Sequence, residues 1–331
     1  MSEKLPQSGH RKRDSTVVKF IGSNLERNEK MRGLFKKRFE SDYFDPLERE
    51  KTGEEKKFLE DVNQRMAEFI KRYGGNPVEM PANLIKFLDW SKLSADQAQL
   101  LATAYGDGFF CLDTQGVAIF SGTSSAYPDR MGLANTIDHE LIHANSFQSI
   151  IVNPNKDFSA RQDRVGLSIE DDRLFKDLNE AITAELNIRF HNEFLKDIEF
   201  TAEEFKKLGK DIEDIKVHVK DPSKFNDIAS IHRIPLPDGS SQASIHAFEY
   251  GPLRFKLNKI IDKINELNPS LFNDREEIFD IFAKAMITGE VRQLTDLIEN
   301  TFGRGTFKKL ASGLDIFEKE NENEKDKDKE I

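Results

Sequence analysis

The chain has 331 residues, of which 37% are hydrophobic and 33% charged, and a formal net charge of −10. That length can bury a substantial core, as one large domain or two small ones. The acidic balance argues against nucleic acid as the main partner. A spanning helix needs a run of about 18 apolar residues, and none is present, so no membrane partner is expected. The N-terminus has no apolar signal-peptide core, and the lone Cys111 permits no internal disulfide, so a reducing, cytoplasmic setting is expected.

Residues 1–30 are polar and broken by Pro6, Gly9 and Gly22, with Arg11-Lys12-Arg13 solvated, and residues 1–50 read as a flexible or loosely packed N-terminal arm. Residues 51–312 read as the folded domain, with an N-terminal part to residue 200 and a helical C-terminal lobe over 201–312. Residues 313–331 form a charged tail. Thr52-Gly53-Glu54-Glu55 has the form of a capping box. Leu59, Val62, Met66, Phe69 and Ile70 follow at helical spacing until Gly74-Gly75. Ser94-Ala95-Asp96-Gln97 opens a further short helix. The runs Gly108–Leu112 and Val117–Phe120 then read as a hairpin, with turn chemistry in Asp113–Gly116 and Cys111 as a buried, inert thiol.

Next comes Thr136-Ile-Asp-His-Glu-Leu-Ile-His-Ala144. His139 and His143 are four apart, so on a helix they stand one above the other and both reach one metal ion. Glu140 projects toward a water on that metal. Catalytic zinc takes three protein ligands and leaves a fourth position to water. The third donor is expected from Glu180, on a helix running from about residue 171 to 194. Glu170, Asp171 and Asp172 are alternative donors, although consecutive acids more often form a solvated turn. Arg161 and Arg164, in the spacer, suit either a carboxylate contact or a surface ion pair. Ala184, Asn187 and His191 share the helix face of Glu180, which puts His191 on the cleft side, although a lone histidine is more often solvated or in the core.

Thr201–Glu204 reads as the cap of another charged helix, and residues 211–237 as polar loop. From about His246 to Ser312 the chain reads as helical. Leu253, Phe255, Leu257, Ile260, Ile261 and Ile264 form a core stripe, Asn273–Glu276 a capping box, and Val291–Phe302 a helix stopped by Gly303.

His139-Glu140-x-x-His143 followed by Asn179-Glu180-Ala181-Ile182-Thr183 resembles the gluzincin branch of zinc metallopeptidases, which has the thermolysin-like layout. The likeness covers about residues 105–195. The stretches around Arg164-Val-Gly-Leu and Thr301-Phe-Gly resemble an uncharacterised set of bacterial zincin-like proteins. The resemblance implies zinc (Zn2+) on His139, His143 and Glu180, with Glu140 as general base. It also implies an oxyanion donor from the C-terminal lobe, for which Tyr250 is the first candidate and His246 the second. Three differences stand out. The spacer to Glu180 is longer, so an insertion or extra helix is expected there. Ala184 stands where those enzymes carry an acid, with Glu185 beside it. Asn145 replaces an apolar residue.

The expected fold class is α+β, predominantly helical and zincin-like. A small antiparallel sheet or hairpin precedes the metal helix, and a helical lobe closes the cleft. The expected function is zinc-dependent peptide-bond hydrolysis, more endo- than exopeptidase, on a peptide or protein substrate. The competing readings are a non-catalytic interaction protein stabilised by zinc and an effector or toxin acting on one target protein. The oligomeric state is not encoded in any motif.

Overall fold

A computed structural model of the protein describes residues 16–19, 45–96, 99, 108–111, 116–120, 130–153, 159–169, 173–216, 228–235, 241–248 and 250–316. In chain order its elements are β1 (Thr16–Lys19), α1 (Gly53–Arg72), β2 (Ile85–Leu88), β3 (Gly108–Cys111), β4 (Gly116–Phe120), α2 (Arg130–Asn145), β5 (Gln148–Asn153), β6 (Ser159–Val165), β7 (Ser168–Ile169), α3 (Lys176–Phe194), α4 (Glu199–Lys216), β8 (Ile228–Pro235), β9 (Ser241–Ala247), α5 (Gly251–Leu267), α6 (Arg275–Thr288), α7 (Arg292–Phe302) and α8 (Thr306–Leu310). The described part is mostly helical with small sheets, an α+β arrangement. None of its helices is long and apolar enough to cross a membrane.

The helices form where local chemistry favours them. Thr52 accepts from the Glu55 amide, and the Glu55 carboxylate accepts from the Thr52 amide, so two otherwise orphaned donors at the start of α1 are satisfied. The predicted stripe Leu59, Val62, Met66, Phe69 and Ile70 is fully buried. It joins α2, α3 and α5–α7 in one continuous core. The predicted box before α6 lies one residue later than expected: Asp274 accepts from the Glu276 and Glu277 amides, and Glu277 reaches back to the Asn273 amide. Phe255, expected in the core stripe of α5, is 61% exposed, with Lys259 over its ring.

Three sheets are present among the described residues. β2-β4-β3 has β4 at its centre, parallel to β2 and antiparallel to β3. The β3–β4 pairing is the predicted hairpin; its turn, residues 112–115, lies outside the described residues. The second sheet, β1-β5-β6-β7, is antiparallel throughout. It bears on two expectations. Residues 16–19 of the expected loose arm are a strand paired with β5, and Arg49, near the end of that arm, is bound to Glu55 at 2.6 Å. The long spacer between His143 and Glu180 holds strands β5–β7, so the insertion expected there is made of sheet and not of an extra helix. The third sheet is the hairpin β8–β9, in a region expected to be loop and helix. Ala243, Ile245 and Ala247 keep a period of two along β9, but Ile245 is the only large apolar residue among them, which left the pattern weak.

α4 begins at Glu199, so Thr201 is not its cap. The Thr201 hydroxyl instead donates to the Leu195 carbonyl at 2.6 Å. The helix expected from Ser94 to about Tyr105 lies mostly outside the described residues.

Candidate metal centre

α2 and α3 carry the site and are the least amphipathic of the long helices. Twelve of the sixteen residues of α2 are buried, which marks a central helix rather than a surface one. Its ends are fastened by side chains. At the N-terminus, the Glu204 carboxylate accepts from the Arg130 and Met131 amides at 2.8 and 3.2 Å, and Arg130 pairs with Glu54 at 2.7 Å. A carboxylate there satisfies orphaned N–H groups and complements the positive end of the helix dipole. At the other end, Asn145, Ser146 and Gln148 each donate to a carbonyl of the last turns, and Asn145 Oδ1 accepts from the Val78 amide at 2.7 Å. The polar residue at position 145 is therefore fully employed.

α3 crosses behind the metal face. Asn187 donates to Asn135 Oδ1 at 2.8 Å, and Asn179 Oδ1 accepts from the Leu167 amide at 2.9 Å. Asn135 lies one turn before His139, and Asn187 lies two turns after Glu180. The helices are thus registered against each other next to the three donors. On the β-sheet side the approach is equally close. A Cβ built on Gly108 would lie 2.8 Å from Thr136 Cγ2 and 3.2 Å from the Ala118 carbonyl oxygen, so only glycine lets β3 lie this near α2.

His139, His143 and Glu180 meet as predicted. The two Nε2 atoms are 3.2 Å apart, and Glu180 Oε2 is 3.3 Å from His143 Nε2 and 3.6 Å from His139 Nε2. Ligands at about 2.0–2.1 Å from a tetrahedral ion stand about 3.3–3.4 Å from one another. Glu180 Oε2 is enclosed and takes no hydrogen bond. Three donor atoms with this spacing, one of them an orphaned buried oxygen, fit a metal ion. Burial pushes the Glu180 carboxyl up, but the two imidazoles, His143 first, outweigh it and hold the group well below the ordinary carboxylate range.

Glu140 is buried beside this set. Burial raises its pKa and prevails over the nearby imidazoles, while the Phe110 amide, donating from β3, lowers it. The half-buried Tyr250 ring stacks on His139 with centroids 5.7 Å apart and planes 19° apart. Its backbone is left-handed, at φ 59. His246 lies on β9 opposite Ser230, and its side chain is outside the described residues, as are Glu170, Asp171, Asp172 and the Arg161 side chain.

Other expected candidates have different surroundings. His191 is fully buried, with both ring nitrogens unpartnered and the Phe205 and Phe248 rings 5.9 and 4.9 Å away. Burial lowers its pKa to about 3. It is a core histidine and does not face an open cleft. Arg164 donates to the Gly166 carbonyl at 2.6 Å and lies over Phe147, so it serves the β6–β7 turn. Glu185 binds Arg254 and Arg189, so it does not replace the missing acid at Ala184.

Sequence reasoning missed Asp138. Neither of its oxygens has a hydrogen-bond partner, and burial drives its carboxyl well above the usual range. The signal was available, since Asp138 falls on the same helix face as Ala134, Leu141, Ile142 and Asn145, all buried. No protein-family model, curated protein or solved structure matches the chain.

Proposed function

We propose that the protein is a zinc-dependent peptidase acting on an extended peptide or protein segment. The observation that carries this reading is the convergence of His139 Nε2, His143 Nε2 and Glu180 Oε2 at mutual separations of 3.2, 3.3 and 3.6 Å, with Glu140 beside them. A zinc ion held there by His139, His143 and Glu180 would supply Lewis acidity to the scissile carbonyl and acidify the attacking water. Glu140, buried and with a raised pKa, accepts the proton of the attacking water and returns it to the leaving nitrogen. The Phe110 amide orients that carboxylate. The Tyr250 hydroxyl is the candidate donor to the carbonyl oxygen as negative charge develops there.

β3 supports the choice of substrate class. Among the described residues it is an edge strand, and the Phe110 N–H leaves it on the side away from β4, toward Glu140. Backbone groups of Gly108, two residues back, face the same way. An extended peptide laid along that edge gains main-chain hydrogen bonds and passes beside the three donors.

The experiment has two arms. Purified protein is expected to carry one equivalent of zinc, lost in His143→Ala, and to cleave a mixed peptide library. Glu140→Gln is expected to keep the zinc and lose about 10²–10⁴-fold in rate. A second reading, a zinc-stabilised interaction protein, is favoured by one observation, that Ala184 leaves the donor set without the neighbouring acid and Glu185 points elsewhere. It predicts zinc binding with no cleavage, and a Glu140→Gln variant unchanged in every respect.

A further inference from the structure

Tyr250 is an anomaly in backbone terms. A residue with a Cβ held in the left-handed region costs on the order of 1 kcal/mol or more, and such strain persists only where the surroundings enforce it. Tyr250 sits at the N-cap position of α5 and makes no side-chain cap bond there; its ring is committed to His139 instead. Something else must hold the first turn of α5 in place.

That role falls to Arg254, whose amide donates to the Tyr250 carbonyl at 2.9 Å. Its Nε and Nη2 both donate to Glu185 Oε2, at 3.2 and 3.1 Å. The two side chains are only 10% and 15% exposed, so solvent screens the pair weakly. Glu185 is fixed from its other oxygen as well, by Arg189 Nε at 3.2 Å. Arg189 in turn pairs with Glu276 and lies 3.9 Å over the Phe279 ring. Glu185 belongs to α3, five residues beyond Glu180. The pair therefore references the start of α5 to the same helix that delivers the acidic donor.

We propose that Glu185 and Arg254 are positioning residues, a buried clamp that seats the Tyr250 ring over His139 and so places its hydroxyl at the reacting carbonyl. This rests on the metal-centre reading above, which it extends to two residues outside the donor set. A merely structural pair would tie α3 to α5 without affecting where the Tyr250 ring lies.

The test reads the His139 ring protons by NMR in protein with selectively labelled histidine, with and without one equivalent of zinc. Tyr250→Leu sets the position those signals take when the stacked ring is gone. The double variant Glu185→Leu/Arg254→Met removes both charges, so neither is left buried alone. Its His139 signals are expected to move most of the way to the Tyr250→Leu position, while Arg254→Lys, which keeps the charge, restores part of the wild-type shift. Glu185→Gln, a gentler change, is read in the same way should the double variant not fold. His139 signals that stay at the wild-type position in a folded variant overturn the clamp. The readout needs no turnover, so a protein that binds zinc and cleaves nothing sinks the peptidase reading and still decides this one.

Discussion

His139 and the half-buried His143 on α2, and the buried His191 on α3, are imidazoles with opposite surroundings. The first two face each other and a carboxylate at 3.2–3.6 Å. His191, three turns along α3 from Glu180, faces two phenylalanine rings and has no partner at either nitrogen. Burial alone therefore does not make a site. Convergence of donors with compatible spacing does, and a histidine without it is a core residue that destabilises the fold whenever it must carry charge.

The comparison can be broken most decisively with zinc. Zinc added to metal-free wild type is expected to raise its melting temperature, with about 2.7 kcal/mol of added stability at a hundredfold excess over the dissociation constant. His191→Leu should keep that response and His143→Ala should lose it entirely. A zinc response abolished by the His191 change would erase the distinction between the two settings.

The next effect is on rate. Tyr250→Phe keeps the ring on His139 and removes only the hydroxyl. If that hydroxyl stabilises the oxyanion, kcat should fall about 10²–10³-fold with zinc content unchanged. An unaffected kcat would leave the ring as packing alone.

A smaller effect sharpens the His191 side. Its ring titrates near 6.5 when unfolded and near 3 in the fold. Between those values only the unfolded chain takes up the proton. The stability this group contributes is thus complete above about pH 6.5 and is lost as pH falls toward 3. Relative to wild type, His191→Leu should gain on the order of 2 kcal/mol by about pH 4.5, measured by thermal melts across that range. A constant difference at all pH values would contradict the assignment. The smallest expected change is Glu204→Gln, which weakens a charge-assisted anchor at the first turn of α2. It should cost about 0.5–1 kcal/mol in urea melts and leave zinc stoichiometry at one.

The donors were legible because a helix converts sequence spacing directly into facing side chains. His139, Glu140 and His143 needed only the i, i+4 rule, and Glu180 needed only the coordination number of zinc. The α1 box and stripe were legible for the same local reason. What escaped was most of what depends on tertiary partners. Glu204 looks like the acid of a local capping box, yet it serves a helix that begins 74 residues earlier. Arg254 meets Glu185 across 69 residues. Strands β5–β9 stayed hidden because their partners decide them, and short polar-apolar alternation is weak evidence without knowing what lies on either side. Tyr250 was found through family likeness, and only its position over His139 gives that choice a physical basis.

The anchoring of α2 by Glu204 also has a consequence in time. The helix bearing two of the donors is complete at its leading end only once a segment made much later has folded against it, and the Tyr250 ring arrives later still. Long loops must close before that contact repays them, which makes the centre a late product of folding rather than a seed. Pulse-labelled hydrogen exchange during refolding is expected to show the amides of residues 130 and 131 protected no sooner than those of the helix that carries Glu204. Early protection there would mean that the first turn closes without it.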